Sequence, residues 1–509
     1  MFTRSLAFST VTAVLASSLL LPTASAGVER GAAQAVTVAA SSLPKMGLGV
    51  EPLAPSKTAW QSRIENRLRT VPPATPADSG TPASGALVSK LHALATTMDA
   101  EAQVGIAVKD LQTGQTVFEH HGRSPLNPAS NHKLLTATAA VTLLGEDYRF
   151  ETSVLRDGTT LFVRGGGDPS LQVEDLETLA ASVDSTGVER IIVDDSMFSA
   201  RTFGPGYDTG GPGFSYMAPS GALSLQYNTV VVRVSADRSS DGVAVTLDPP
   251  CDHLQVERGR THGAVLVTTR IQGDKTIVRV DGQPRRGMPV KTRRRIANPG
   301  RFTASVFAEA LGRPELDIET GTAPQGANVV ATHRSEALPT VLASALKFSN
   351  NFTTEQVLRT LGHHASNAPG DWSNGAEVLR AFWRANGQDP AALTFENASG
   401  LSAHGRVTPH AMVELVSLWA RDDRAEAVMD ALPVAGREGT LRGRLRRSGG
   451  RVRAKTGTLS NATGLTGIVN DTDGEPRYAF SVLVGGPQVG RAKRFQDRVV
   501  MTLLHGSGS

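Results

Sequence analysis

The chain has 509 residues, with 52 Lys and Arg against 48 Asp and Glu, a formal net charge of +4, and one cysteine, Cys251. Near-balanced charge and short basic clusters exclude the footprint of a nucleic-acid-binding module. A single cysteine excludes an intrachain disulfide, so stability must come from packed cores. The length exceeds what one ordinary core holds.

Met1 to Ala26 reads as a signal peptide: Arg4 gives the positive start, Leu6 to Leu21 is apolar, and Ala24-Ser25-Ala26 fits a small-residue cleavage site. The mature protein is therefore expected outside the cytoplasmic membrane, in the periplasm or cell wall. Residues 27–83 are rich in Ala, Pro, Ser and Thr and read as a linker. The spacing predicts a helix over Leu87 to Met98, then a hairpin of Gln103 to Asp110 and Thr116 to Glu119 around the turn Gln112 to Gln115. A helix is expected from Ser130 through Leu144, with Pro128 favouring an extended entry.

From 151 to 335 the chain is rich in strands and turns. Strand candidates are Phe150 to Leu155, Thr160 to Arg164, Ile191 to Asp195, Val230 to Ser235, Ala244 to Asp248, Ala264 to Arg270 and Thr276 to Val280. Gly165-Gly166-Gly167 reads as a turn, because no Gly-Lys-Ser/Thr follows it. Arg285-Arg286 and Arg293-Arg294-Arg295 read as solvated loop charge. This region is expected to form one or two inserted domains, leaving 84–150 and 336–509 as the catalytic domain. Helical spacing resumes over Arg301 to Leu311, Ala337 to Leu361, Ala376 to Asn386, Pro409 to Trp419 and Gln496 to Leu504. Val452 to Thr458, Gly464 to Asn470 and Tyr478 to Gly485 read as strands of one sheet.

Three motifs carry chemistry: Ser130-x-x-Lys133, Ser349-Asn350-Asn351 and Lys455-Thr456-Gly457. Residues i and i+3 share a helix face, which lets the Lys133 amine approach the Ser130 hydroxyl and take its proton. Ser-x-x-Lys alone is weak, since Ser42/Lys45 and Ser344/Lys347 also match. The other two triplets each occur once. Acyl transfer needs a nucleophile, a base, a proton route to the leaving amine and an oxyanion hole. Ser130 and Lys133 supply the first two, Ser349 a relay, Asn351 a contact to a substrate amide, and Lys455 a charge for a substrate carboxylate. The backbone N–H groups of Ser130 and Thr458 are candidate oxyanion donors. His120-His121 and His363-His364 lack metal-ligand spacing with an acid, so neither metal nor cofactor is expected.

The motif set resembles the penicillin-recognising serine acyl-transferases. More closely, the chain is similar to the D-alanyl-D-alanine carboxypeptidase/endopeptidase group, the class C low-molecular-weight penicillin-binding proteins of peptidase family S13. Further matching stretches are Gly165 to Pro169, Asp194 to Phe198, Ala222 to Leu225, Ser399 to Ser402 and Gly439 to Leu441. The resemblance implies an α+β transpeptidase-like domain, an antiparallel sheet with flanking helices, carrying a long strand-rich insertion between the first two motifs. It implies catalytic roles for Ser130, Lys133, Ser349 and Lys455, and substrate contacts from Asn351, Thr456, Gly457, Thr458 and Ser402. The expected partners are peptidoglycan peptides ending in D-Ala-D-Ala and β-lactams, with no nucleic acid and at most peripheral membrane contact. Two departures stand out: Asn350, where relatives commonly carry Asp, and His132, read as a packed bystander. The rivals are a β-lactamase or esterase on the same scaffold, against which the long insertion argues, and a catalytically silent peptidoglycan-binding protein.

Overall fold

A computed structural model describes Ser62 and residues 85–98, 101–207, 211–236 and 242–506; the signal peptide and nearly all of the linker expected from the sequence lie outside them. Helix α1 (Gly85–Ala95) precedes the hairpin β1 (Gln103–Asp110) and β2 (Thr116–His120), and a 3-10 turn over Ala129–His132 leads into α2 (Lys133–Leu144). The chain then enters a stretch with a core of its own. It contains β3 (Glu151–Asp157), β4 (Thr160–Arg164), α3 (Val173–Ala181), β5 (Arg190–Asp194), β6 (Thr229–Ala236), β7 (Val243–Asp248) and β8 (Leu254–Arg258). It continues with β9 (Leu266–Gln272), β10 (Lys275–Asp281), β11 (Val290–Arg295), α4 (Pro299–Ala310), β12 (Asp317–Thr320) and β13 (Asn328–Arg334). The return runs through α5 (Leu338–Lys347), α6 (Asn351–Ser366), α7 (Trp372–Ala385), the short pair β14 (Leu393–Thr394) and β15 (Arg406–Val407), α8 (Pro409–Ser417) and α9 (Asp423–Asp430). Last come β16 (Val452–Thr458), β17 (Ala462–Asn470), β18 (Pro476–Gly485) and α10 (Val489–Gly506).

The principal sheet has the order β16-β17-β18-β1-β2, and all its pairings are antiparallel. Alternation along its strands sends side chains to two cores. Ala107, Ile468, Ala479 and Leu483 pack with α2 and the helices α5 to α9. Val104, Ile106, Val108, Phe480 and Val482 pack with α1 and α10. The fold is thus α+β, a sheet covered by helices on both faces.

The intervening body has its own core, built from β3 to β6, β10, α3 and α4. It holds a five-stranded sheet, β12-β5-β4-β3-β13, and two three-stranded ones. The chain enters and leaves it side by side. Glu151 pairs with Arg334 on β3 and β13, Ser335 N donates to Phe150 O at 2.9 Å, and Leu338 N donates to Tyr148 O at 2.9 Å. The glycine run at its entrance is a close approach rather than a phosphate loop. A Cβ on Gly165 would meet Leu223 N at 2.1 Å, and one on Gly166 would meet Glu151 O at 2.0 Å.

Two local readings are corrected. Arg293 to Arg295 are not loop charge: they form the end of β11, paired with Thr229 to Val231 of β6, and Arg295 is buried. The stretch Ala337 to Leu361 is two helices, broken at Phe348 to Asn350. The sequence reading does not anticipate α3, β8, β11, β12, β13 or α9.

The central strand β18 carries Phe480, fully buried against α1 and α10. Phe480→Ala is expected to lower stability by about 3–5 kcal/mol, read as a shift in urea midpoint at unchanged slope.

Candidate active site

The site is assembled from three chain segments. The first is the turn ahead of α2. Pro128 is helical in backbone (φ −77°, ψ −13°), not extended, and the irregular step falls one residue later, at Ala129 (φ 47°). The turn places Lys133 Nζ 3.0 Å from Ser130 Oγ. The same nitrogen donates to Asn351 Oδ1 at 2.7 Å and to Ser399 O at 2.7 Å. A neutral amine satisfies all three contacts by donating to the two carbonyl oxygens and accepting from the Ser130 hydroxyl.

The second segment is the break between α5 and α6. Ser349 has φ 62°, a conformation that L-residues adopt at a cost and that recurs at functional positions. Its hydroxyl accepts from Lys455 Nζ at 2.9 Å. Asn350 is the N-cap of α6 and accepts from Thr353 N at 3.4 Å. This explains the tolerated departure at that position, because Asn and Asp cap helices about equally well. Asn351 opens α6, and besides holding Lys133 its amide donates to Tyr216 O at 2.9 Å.

The third segment is β16. Lys455 Nζ donates to Thr456 O at 2.7 Å, and Thr456 Oγ1 donates to Thr440 Oγ1 at 2.8 Å, which brings the Gly439–Leu441 turn to the cleft. Gly457 permits the strand to lie against the Ser130 turn: a Cβ there would meet Pro128 O at 2.6 Å and Ser130 N at 2.9 Å. A Cβ on Gly464, its partner on β17, would meet Asn131 Nδ2 at 2.1 Å. Thr458 follows at the strand end, paired with Thr463.

Both lysines are fully buried. Burial pulls the Lys133 ammonium down to about 7, against a partial counter-pull from the Glu355 carboxylate. Burial, and then the positive charge of Lys133, hold Lys455 well below its ordinary value. His132 is likewise buried and pulled down to about 3, with its ring against Phe395 at 4.7 Å between centroids, so it is held neutral beside the pair.

The structure therefore brings together Ser130, Lys133, Ser349, Asn351, Lys455, Thr456 and Gly457, with Thr458 next along β16. It does not bring the Ser402 hydroxyl to them, since that group donates to Glu396 and accepts from His404 N at 3.0 Å. The loop's contribution to the cluster is the carbonyl of Ser399 instead, a backbone contact that no side-chain motif announces. The second Ser-x-x-Lys match is built otherwise, with Lys347 paired to Glu438 at 3.1 Å and the Ser344 hydroxyl bonded to Val341 O at 3.0 Å. Among the described residues, no group of three or more His, Cys, Asp or Glu is arranged to hold a metal.

A hydroxyl beside a lysine lowered toward neutrality, a second hydroxyl–lysine pair across the cleft, and a β-edge next to the first hydroxyl can perform acyl transfer. The family model described as the D-Ala-D-Ala carboxypeptidase 3 (S13) family matches residues 87–504. A D-alanyl-D-alanine carboxypeptidase of Actinomadura sp. (strain R39) is 30% identical over 90% of this chain and 94% of its own length. D-alanyl-D-alanine carboxypeptidase DacB of Haemophilus influenzae is 25% identical over 76% of this chain and 86% of its own. The crystal structure of penicillin binding protein 4 (dacB) from Haemophilus influenzae has the same fold, with a TM-score of 0.69 at 22% identity, covering 81% of this chain and 98% of that one. A second crystal structure of that protein, complexed with a β-lactam, gives a TM-score of 0.66.

The buried amine predicts a pH signature. In the unfolded chain a lysine keeps its proton to about 10.5, whereas Lys133 in the fold releases it near 7. Across that window the unfolded state binds more protons, so stability rises with pH. Wild type is expected to gain several kcal/mol more than Lys133→Met between pH 7 and pH 10, measured by urea denaturation at each pH.

Proposed function

The chain belongs to the D-Ala-D-Ala carboxypeptidase 3 (S13) family and is a D-alanyl-D-alanine carboxypeptidase, and on that premise we propose that it works through an acyl-enzyme on Ser130, outside the cytoplasmic membrane, on peptidoglycan stem peptides. The observation that carries the mechanism is the 3.0 Å contact between Ser130 Oγ and a lysine held near neutrality.

Ser130 Oγ attacks the carbonyl carbon of the penultimate D-Ala while its proton passes to neutral Lys133. The oxygen of the tetrahedral intermediate is met by the N–H groups of Ser130 and Thr458. Collapse breaks the amide bond, and the leaving D-Ala nitrogen takes a proton through the Ser349 hydroxyl, which faces the cleft from the Lys455 side. Water then attacks the ester, Lys133 again takes the proton, and Ser130 is regenerated. Lys455 receives the terminal carboxylate. An arriving carboxylate favours the Lys455 ammonium, and that ammonium in turn disfavours a proton on Lys133, so binding itself readies the base. Asn351 and Thr456 line the same cleft, and the edge of β16 offers backbone groups to an extended peptide.

β-Lactams enter as mimics of the same acyl donor and stay on Ser130. Cross-links between stems, whose scissile bond also follows a D-Ala, are cut by the same chemistry, giving endopeptidase activity. The N-terminal apolar run supports export. Among the described residues no helix is long and apolar enough to cross a membrane.

Intact mass after incubation with benzylpenicillin tests the reading. A single stable adduct on wild type and none on Ser130→Ala is expected; rapid clearance of the adduct would favour a β-lactamase, and no adduct would refute the mechanism. The acylation rate is expected to rise with pH through about 7, as Lys133 loses its proton. Lys455→Ala is expected to raise KM for a D-Ala-D-Ala peptide by about 10–100-fold, with much less effect on an ester lacking the terminal carboxylate.

A further inference from the structure

The strongest feature outside the motif set is a buried carboxylate on α6. Glu355 sits one turn beyond Asn351 and is almost wholly buried, at 2% exposure. Its two oxygens receive Trp372 Nε1 at 2.8 Å, Ser399 N at 2.9 Å, Ala398 N at 3.2 Å and the Tyr207 hydroxyl at 3.3 Å. Four donors converge on it, the surroundings of a group that only accepts. The backbone it grips is the one whose next carbonyl, Ser399 O, holds Lys133 Nζ at 2.7 Å. One of its donors, Tyr207, comes from the inserted body.

The ionisable groups facing Lys133 are few. His132 precedes it on the turn, Lys455 approaches from β16, Glu355 lies on α6, and Tyr207 reaches in beside Glu355. Two of these are basic, a buried phenol stays neutral, and only Glu355 carries negative charge. Two buried amines with no anion beside them would each be biased further toward the uncharged form, leaving an arriving carboxylate as the sole charge to favour an ammonium.

We propose that Glu355 is the positioning residue of the Ser130–Lys133 pair: it fixes the 398–399 backbone that holds Lys133 and supplies the one counter-charge in the cleft. This rests on Ser130 being the nucleophile. Its role is to keep the lysine pair from losing both protons together. Lys133 can then accept the Ser130 proton during attack and hold it until it passes, through the Ser349 hydroxyl, to the leaving nitrogen. Its span from α6 to the 398–399 loop and to Tyr207 also ties the inserted body to the base.

The test is the pH dependence of benzylpenicillin acylation, read as adduct mass against time, in wild type, Glu355→Gln and Glu355→Asp. Loss of the counter-charge makes Lys133 harder to protonate, so the rising limb of Glu355→Gln moves to lower pH by at least about half a unit, roughly a threefold change in the neutral fraction on the limb. Glu355→Asp, with its charge one methylene further back, moves the same way by less and recovers most of the plateau rate. A merely structural role predicts the reverse, because a loosened site admits water and raises the lysine toward its ordinary value. A limb unmoved or moved upward in Glu355→Gln overturns the proposal; if that variant does not fold, the same outcome in Glu355→Asp does. Absence of any adduct on wild type overturns both this proposal and the Ser130 reading beneath it.

Discussion

Two amines in one water-poor cleft are the constraint on which the rest of this structure depends. Lys133 and Lys455 are each fully buried and close enough to repel. A buried cation without a partner is among the most costly groups a protein can hold. The fold meets that cost with oxygens rather than with a matching number of acids. Asn351 Oδ1, Ser399 O, Thr456 O and two serine hydroxyls all point at the two nitrogens. The result is a pair of bases that lose protons easily, which acyl transfer near neutral pH requires.

Close backbone approach is the means. The Ser130 turn lies against β16 only because Gly457 and Gly464 have no side chains. Gly400 does the same on the opposite side: at φ 72° its missing Cβ leaves room for the carbonyl of Ala129, 2.0 Å from where that atom would stand. Ala129 and Ser349 take left-handed conformations of their own. Ser130 is thus wedged between a strand and a loop, and its geometry is set by packing rather than by its own short helix.

The inserted body contributes more than bulk. Arg359 on α6 is fully buried and reaches the carbonyls of Ser199, Ser220 and Gly370, with its guanidinium 4.4 Å from the Phe198 ring and 4.5 Å from the Trp372 ring. Ser199, Ser220 and Phe198 belong to the segment that also carries Tyr207 and Tyr216, so one helix binds the insertion at its middle and the catalytic cluster at its start. What was legible in the sequence follows from this division. Strands such as β1, β4 and β16 carried their own periodicity and chemistry, and the three motifs named the side chains that converge. Glu355, Tyr207 and the carbonyl contact of Ser399 were not legible, because their meaning lies in contacts between distant segments. The break at Ser349 was hidden by apolar spacing on both sides of it. The arginines of β11 looked like loop charge because a strand that pairs through its backbone needs no apolar alternation. The loop that carries Ser402 reaches Lys133 through the carbonyl of Ser399, and a backbone carbonyl leaves no mark in a motif.

The sheet's order has a kinetic side. β1 lies between β2 and β18, and Gln103 pairs with Gly485 almost at the other end of the chain. The first strand therefore waits for the last before it can close the sheet. The intervening stretch has its ends pinned together at Glu151 and Arg334, which shortens the effective loop that must be closed. The Ser130 turn rests on β16 and β17, so the cluster around Ser130 is complete only when the strands from Val452 onward have joined the sheet, and a chain cut off before them leaves Ser130 without the surface that positions it.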